Sequence, residues 1–186
     1  MNIILMGPQG SGKGTQAKLL SQKFNFTYFE GGSFLREMAK NNESLKKIMD
    51  SGELVPDAEM CSYVTAYLDE NNIYHNILFD GFPRTYFQYG VLKNWLEKRK
   101  MKIDLVLVLE ISEEETINRL VKRAQIEGRR DDNLESIKKR LSLYHERTEL
   151  LISQIKEEVD VIKVNGERSI EAIFEDLSGI IAKYGN

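Results

Sequence analysis

Residues 2–16 read "NIILMGPQGSGKGTQ", and this stretch decides the fold. An apolar run, Asn2 to Met6, leads straight into glycines, and the glycines lead into a segment of helical period from Gly12 to about Phe24. Gly7, Gly10, Gly12 and Lys13 fit the spacing G-x-x-x-x-G-K between a strand and a helix. Glycine lets successive backbone N–H groups converge on an anion, here from Gly10, Ser11, Gly12, Lys13, Gly14 and Thr15. The helix N-terminus adds partial positive charge and Lys13 a full one, so the loop is a phosphate cradle. A hydroxyl normally follows the lysine. Here Gly14 does, and the hydroxyl arrives one residue late at Thr15, turned about 100° round the helix.

Outward from the loop, short runs rich in Ile, Val, Leu and Phe alternate with helical segments, the pattern of a parallel sheet covered on both faces. The expected strands are Asn2–Met6, Thr27–Phe29, Asn76–Asp80, Asp104–Glu110 and Val159–Val164. The fold class is α/β: a five-stranded parallel sheet flanked by helices in three layers. Thr85–Lys100 reads as a helix with Leu92, Trp95 and Leu96 on one face. Ser112 and Glu115 form a capping box for a helix reaching at least Arg123. Asp131, Asp132 and Asn133 give a second N-terminal signal, followed by one long helix or two joined ones, and a last helix starts near Ser169. Gly31 to Glu70 holds short helical pieces broken by "SGELVPD", too polar for sheet core and expected to be mobile.

The 186 residues suit one domain, and 41% apolar content can fill its core. With 26 basic and 29 acidic side chains the net charge is −3, so attraction to nucleic acid or anionic membrane is not expected and any anion site is local. The one cysteine, Cys61, excludes an internal disulfide and a four-cysteine zinc site, and reads as a small buried residue. "MNIILM" carries no basic leader, and no apolar run approaches bilayer length, so a cytoplasmic protein is expected. His75 and His145 lack ligand-spaced neighbours and read as surface residues.

Asp80 closes its strand at the sheet edge where ligands bind, and "GFPRT" follows. Arg119 and Arg123, four apart, share a helix face, with Arg129, Arg130 and Arg140 beyond them. Cations in such number suit a ligand that carries several phosphate charges. "GPQGSGKGTQ" at 7–16, "GGSFLR" at 31–36, "GELVPD" at 52–57, "DGFPRT" with Gln88, "NRLVKR" at 118–123 and "GRRDDN" at 128–133 together resemble the adenylate kinases, in that family's order and across nearly the whole chain. The likeness is to the short-lid form, since only "AQIEG" separates Arg123 from Arg129.

The resemblance implies a P-loop NTPase-like fold in one nucleoside monophosphate kinase domain. Its core would be 1–30, 71–123 and 132–186, its NMP-binding segment 31–70 and its short lid 124–131, with Gly31, Gly32, Gly52 and Gly128 as hinges. It implies reversible phosphoryl transfer from Mg·ATP to AMP by a monomer without zinc, partnered by small nucleotides alone. Magnesium would be held by phosphates and by waters that Asp80 anchors. Arg119 would lie against the ATP adenine, Arg123 would hold its phosphates, and Arg168 would line the same site. Arg129 and Arg140 would reach the group in transfer, while Arg36 and Arg84 grip the AMP phosphate. Lys13, Arg84, Arg123, Arg129 and Arg140 thus form the catalytic set. Gln88 would pair with the acceptor base, framed by Gly31, Gly81 and the backbone of Gly52 to Val55, including Glu53. Asp131 and Asp132 would orient the lid arginines or simply cap a helix. Two positions depart from the family pattern, Gly31 for a usual threonine and Ser33 for a frequent aspartate. A UMP or CMP kinase and a non-catalytic nucleotide-binding regulator are the alternatives.

Overall fold

The computed structural model describes residues 1–51, 53–127 and 134–185. Five strands, β1 (Ile3–Met6), β2 (Thr27–Glu30), β3 (Ile77–Asp80), β4 (Leu105–Glu110) and β5 (Val161–Asn165), form one sheet in the order β2-β3-β1-β4-β5. Every pairing is parallel, and Leu5 is level with Asp80 on one side and Leu107 on the other.

Burial on both faces explains the unbroken apolar runs. Ile3 and Leu5 point into one core with Leu105, Leu107 and Leu109, while Ile4 and Met6 enter the other with Val106 and Val108. The period of two thus divides each strand between two hydrophobic layers. The first layer is closed by α1 (Lys13–Phe24) and α9 (Ile170–Tyr184), through Ala17, Leu20, Ile173 and Leu177. The second is closed by α2 (Gly31–Ala39), α3 (Glu43–Asp50), α4 (Asp57–Glu70), α5 (Tyr86–Glu97) and α8 (Leu150–Ile155). Cys61 is buried there, as expected.

All five expected strands are present, with ends within two residues. The helix expected over Thr85–Lys100 is shorter. Thr85 is its N-cap, its hydroxyl accepting the Gln88 N–H, and Lys100 at φ 58° lies beyond its end. α6 (Glu113–Glu127) forms, but only half of its capping box does. Ser112 Oγ accepts from Glu115 N at 3.3 Å, whereas Ser112 N donates to Glu167 and the Glu115 carboxylate is taken by Arg119. A charge-assisted partner outcompetes the return bond. From Leu134 to Ile155 the chain is one helical run, α7 (Leu134–Leu143) passing through a π-helical turn, Tyr144–Glu149, into α8. The capping signal at Asp131, Asp132 and Asn133 lies outside the described residues. Ser169 caps α9 by accepting from Ala172 N.

β1 is the switch point of this sheet, with β3 and β4 on either side. Connections that begin on opposite sides of it leave a crevice at the carboxyl ends of the strands. The glycine loop and Asp80 both lie there.

Candidate active site

The loop is built by glycine where no other residue fits. Gly7 has φ 144°, and a Cβ on it would lie 2.6 Å from the Leu109 carbonyl. Gly12, at φ 92°, is the left-handed residue that starts α1. Lys13 folds back over this loop, its Nζ donating to the carbonyls of Gly7 (2.7 Å) and Pro8 (2.8 Å). Burial lowers its pKa to about 8, with Asp80 opposing the shift and Arg84 and Arg123 adding to it.

Position 14 faces the acid at the end of β3. A Cβ on Gly14 would stand 3.9 Å from Asp80 Oδ2 and 3.7 Å from the Tyr28 hydroxyl, while Thr15 is exposed one step further round the helix. Asp80 is itself buried, its Oδ2 accepting from Tyr28 OH at 3.1 Å. Burial raises the Asp80 pKa, with Lys13 and the Tyr28 hydrogen bond opposing the rise. Tyr28 is a residue that sequence reasoning passed over, because nothing in a half-exposed strand tyrosine announces a carboxylate partner.

The sheet edge gathers the expected cations. A cavity of about 540 Å³ is lined by the loop from Gly10 to Thr15 together with Asp80, Gly81 and the side chains of Arg36, Arg84, Arg119, Arg123 and Arg168. Arg119 reaches it from α6, braced by Glu115 (2.7 Å) and by the Gly166 carbonyl (3.0 Å). Arg168 is paired with Asp176. Arg36 donates to Glu30 (3.1 Å) and to Ser33 Oγ (2.8 Å). Arg84 Nε donates to Gly81 O at 2.9 Å, and Thr148, from the π-helical turn, donates to the Arg84 carbonyl. Burial, with Arg140 and Arg36 nearby, disfavours the charge on Arg84, and Asp80 supports it. Lys13 and five arginines against two lining acids, Glu30 and Asp80, leave the site in want of anions.

A smaller cavity of about 100 Å³ adjoins the first through Arg36, Gly81 and Arg84. Leu54, Val55, Gln88 and Arg140 line it. Glu53 also lies at its edge, with its carboxylate on Lys139 Nζ at 2.9 Å. Gly31 packs tightly beneath, where a Cβ would come 3.1 Å from Gly81 O. Gln88 is buried, its Oε1 accepting from Arg84 N (2.7 Å) and its Nε2 donating to Asp57 Oδ1 (2.9 Å). Asp57 stood in "GELVPD" without a role, and only the pairing with Gln88, thirty-one residues away, reveals one.

Arg129 and Arg130, with Asp131, Asp132 and the hinges Gly52 and Gly128, lie outside the described residues. His75 is exposed, and His145 lies at the surface between two carboxylates, as expected. Among the described residues no helix is long and apolar enough to cross a membrane.

The family model for adenylate kinase matches residues 5–159. The chain belongs to the adenylate kinase family. An adenylate kinase of Phocaeicola vulgatus is 38% identical over 98% of this chain and 99% of its own length. One from Leptospira biflexa is 40% identical over 92% and 94%, and one from Methanothrix thermoacetophila 33% identical over 99% and 100%. The matched region contains the glycine loop, Asp80 and each of the cavity-lining arginines except Arg168, so this family's members supply the natural frame for the cavity at the sheet edge.

Proposed function

We propose that this protein catalyses the reversible transfer of the γ-phosphoryl group of ATP to AMP, giving two ADP. The observation that carries the reading is the pair of joined cavities. One is ringed by the phosphate loop and arginines, the other ends on Gln88, and Arg36, Gly81 and Arg84 are shared between them. ATP occupies the first, with its phosphates on the backbone from Gly10 to Thr15 and on Lys13 and Arg123, and its base beside Arg119 and Arg168. AMP occupies the second, its phosphate held by Arg36 and Arg84, its base at Gln88 between Gly31, Gly81 and the backbone about Glu53 and Val55.

A phosphate oxygen of AMP attacks the γ-phosphorus in line, and the bond to the β–γ bridging oxygen breaks as ADP leaves. The attacking oxygen is already ionised, so no general base is required. The protein's task is to hold the anions together and stabilise the transferring group, a role for Lys13, Arg84, Arg123, Arg129 and Arg140. Arginine suits it because its planar fork meets phosphate oxygens in pairs.

The residues present fit magnesium of one kind. Among the described residues no three carboxylate, histidine or cysteine side chains converge, and Asp80 is a single buried acid beside the loop. Such a site suits an ion held by nucleotide phosphates and waters, with Asp80 accepting from the waters. When bound there, magnesium neutralises charge on the β- and γ-phosphates.

The acceptor cavity is too small for a whole nucleotide, so the segment 31–70 opens to admit AMP, and with the lid 124–131 it closes to exclude water. Segmental hydrogen exchange will show protection in both stretches only when both nucleotides are bound; equal exchange in free and doubly bound protein would contradict closure. The working form is a cytoplasmic monomer. The activity itself is tested with AMP, UMP, CMP, dAMP and GMP against Mg·ATP, with Lys13→Ala as blank. AMP is expected to be the preferred acceptor; preferred turnover of UMP or CMP, or nucleotide binding without turnover, would replace this reading.

A further inference from the structure

Gln88 is held from two directions. Its amide has two acceptor lone pairs on Oε1 and two donor hydrogens on Nε2. One lone pair is taken by Arg84 N at 2.7 Å, and one hydrogen is given to Asp57 Oδ1 at 2.9 Å. The other Asp57 oxygen, Oδ2, accepts from Thr85 Oγ1 at 2.8 Å, and Thr85 Oγ1 in turn accepts from Gln88 N at 3.2 Å. The four groups form a closed ring that joins the first turn of α4 to the first turn of α5.

We infer that Asp57 is a positioning residue that fixes the orientation of the Gln88 amide, and through it selects a 6-aminopurine over a 6-oxopurine in the acceptor site; the inference rests on the AMP reading above. After both partners are satisfied, Gln88 keeps one lone pair and one hydrogen, side by side. That edge matches adenine, which offers an amino donor beside a ring-nitrogen acceptor. A 6-oxopurine offers the reverse order, a carbonyl acceptor beside a ring N–H, and needs the amide turned over. Turning it would set an NH2 against the Arg84 N–H and a carbonyl oxygen against the Asp57 carboxylate. Both encounters are repulsive, and the second involves a full charge. A carboxylate at 57 is therefore the stronger of the two locks.

The test compares AMP with IMP, which differ only in this edge, as acceptors for the intact enzyme and its variants. Asp57→Ala is expected to raise the KM for AMP about tenfold, to reduce the AMP-to-IMP ratio of kcat/KM by about tenfold, and to leave the KM for ATP unchanged. Asp57→Asn keeps the size of the side chain but can accept from Thr85 with its oxygen and donate an N–H to a turned-over Gln88, so it is expected to lose most of the discrimination while the KM for ATP stays level. If Asp57→Ala does not fold, Asp57→Ser keeps a polar residue at the helix start but falls short of Gln88, and is expected to behave alike. An unchanged AMP-to-IMP ratio in a folded variant overturns the inference, as does a parallel rise in the KM for ATP, which marks a merely structural role. Wild-type enzyme that fails to turn over AMP overturns the activity reading instead; wild type that uses AMP and IMP equally well overturns the lock alone.

Discussion

The Lys13 ammonium donates to the Gly7 carbonyl at 2.7 Å, so the cation of the phosphate loop is bound by its own loop. Burial and the neighbouring Arg84 and Arg123 bring its pKa down to about 8. A bound triphosphate supplies the missing anion and raises that value again. Between pH 8 and 9 the free protein has largely lost this proton and the complex retains it, so ATP binding takes a proton up. Calorimetry in buffers of different ionisation enthalpy is expected to show uptake of about three-quarters of a proton near pH 8.5, and ATP affinity falling as pH rises past 8. Lys13→Met is expected to abolish the uptake. Uptake unchanged in that variant would assign the proton elsewhere.

Arg84 and Arg123 both face the cavity that the loop borders. A lysine in either place keeps the charge and loses the fork. Arg84→Lys and Arg123→Lys are each expected to lower kcat on the order of a hundredfold. Steady-state kinetics decides the matter, and retention of most of the turnover by both variants would show that charge alone suffices.

Gly31 has no room to spare. A methyl group there would lie 3.1 Å from the Gly81 carbonyl, which is also the acceptor for Arg84 Nε. Gly31→Ala is expected to push that carbonyl and the arginine with it, raising the KM for the acceptor roughly threefold to tenfold while the KM for ATP stays level. An unchanged acceptor KM would mean that the carbonyl yields freely.

His145 stands between Glu149, 3.1 Å from Nδ1, and Glu113, 3.0 Å from Nε2. The hydrogen bond to Glu149 does most to raise the imidazole pKa; burial opposes it, and the charge of Glu149 with the hydrogen bond and charge of Glu113 carry the balance upward. A raised folded-state value favours the folded state fully below the ordinary pKa of about 6.5, and that benefit is lost as pH climbs through the raised value. The pairs are partly exposed and screened, so the effect is small. Thermal melts are expected to show wild type losing about 1–2 °C more than His145→Gln between pH 6 and pH 8. Equal losses would remove the histidine from the account.

The parts of this molecule legible in its sequence are those governed by local or repetitive constraints. Both-face burial made continuous apolar runs of Ile3–Met6 and of residues 105–109, and backbone geometry demanded glycine at 7 and 12. Contacts between distant segments were not legible. The return half of the capping box gave way to Arg119 and Glu167, and the π-helical turn at Tyr144–Glu149 has no mark in the residues themselves. Within the site, the arginines could be named from their motifs. The partners that orient them and their neighbours, Tyr28 on Asp80 and Asp57 on Gln88, follow only from the sheet register and the packing of α4 on α5.

The central claim is that the two joined cavities hold two nucleotides at once with their phosphates facing. A single molecule made of two adenosines bridged by five phosphates tests it directly by titration calorimetry in the presence of ATP or AMP. The account predicts one molecule bound per chain, far tighter than either nucleotide, and displaced by both. Binding no tighter than ATP, or displacement by ATP alone, would contradict it.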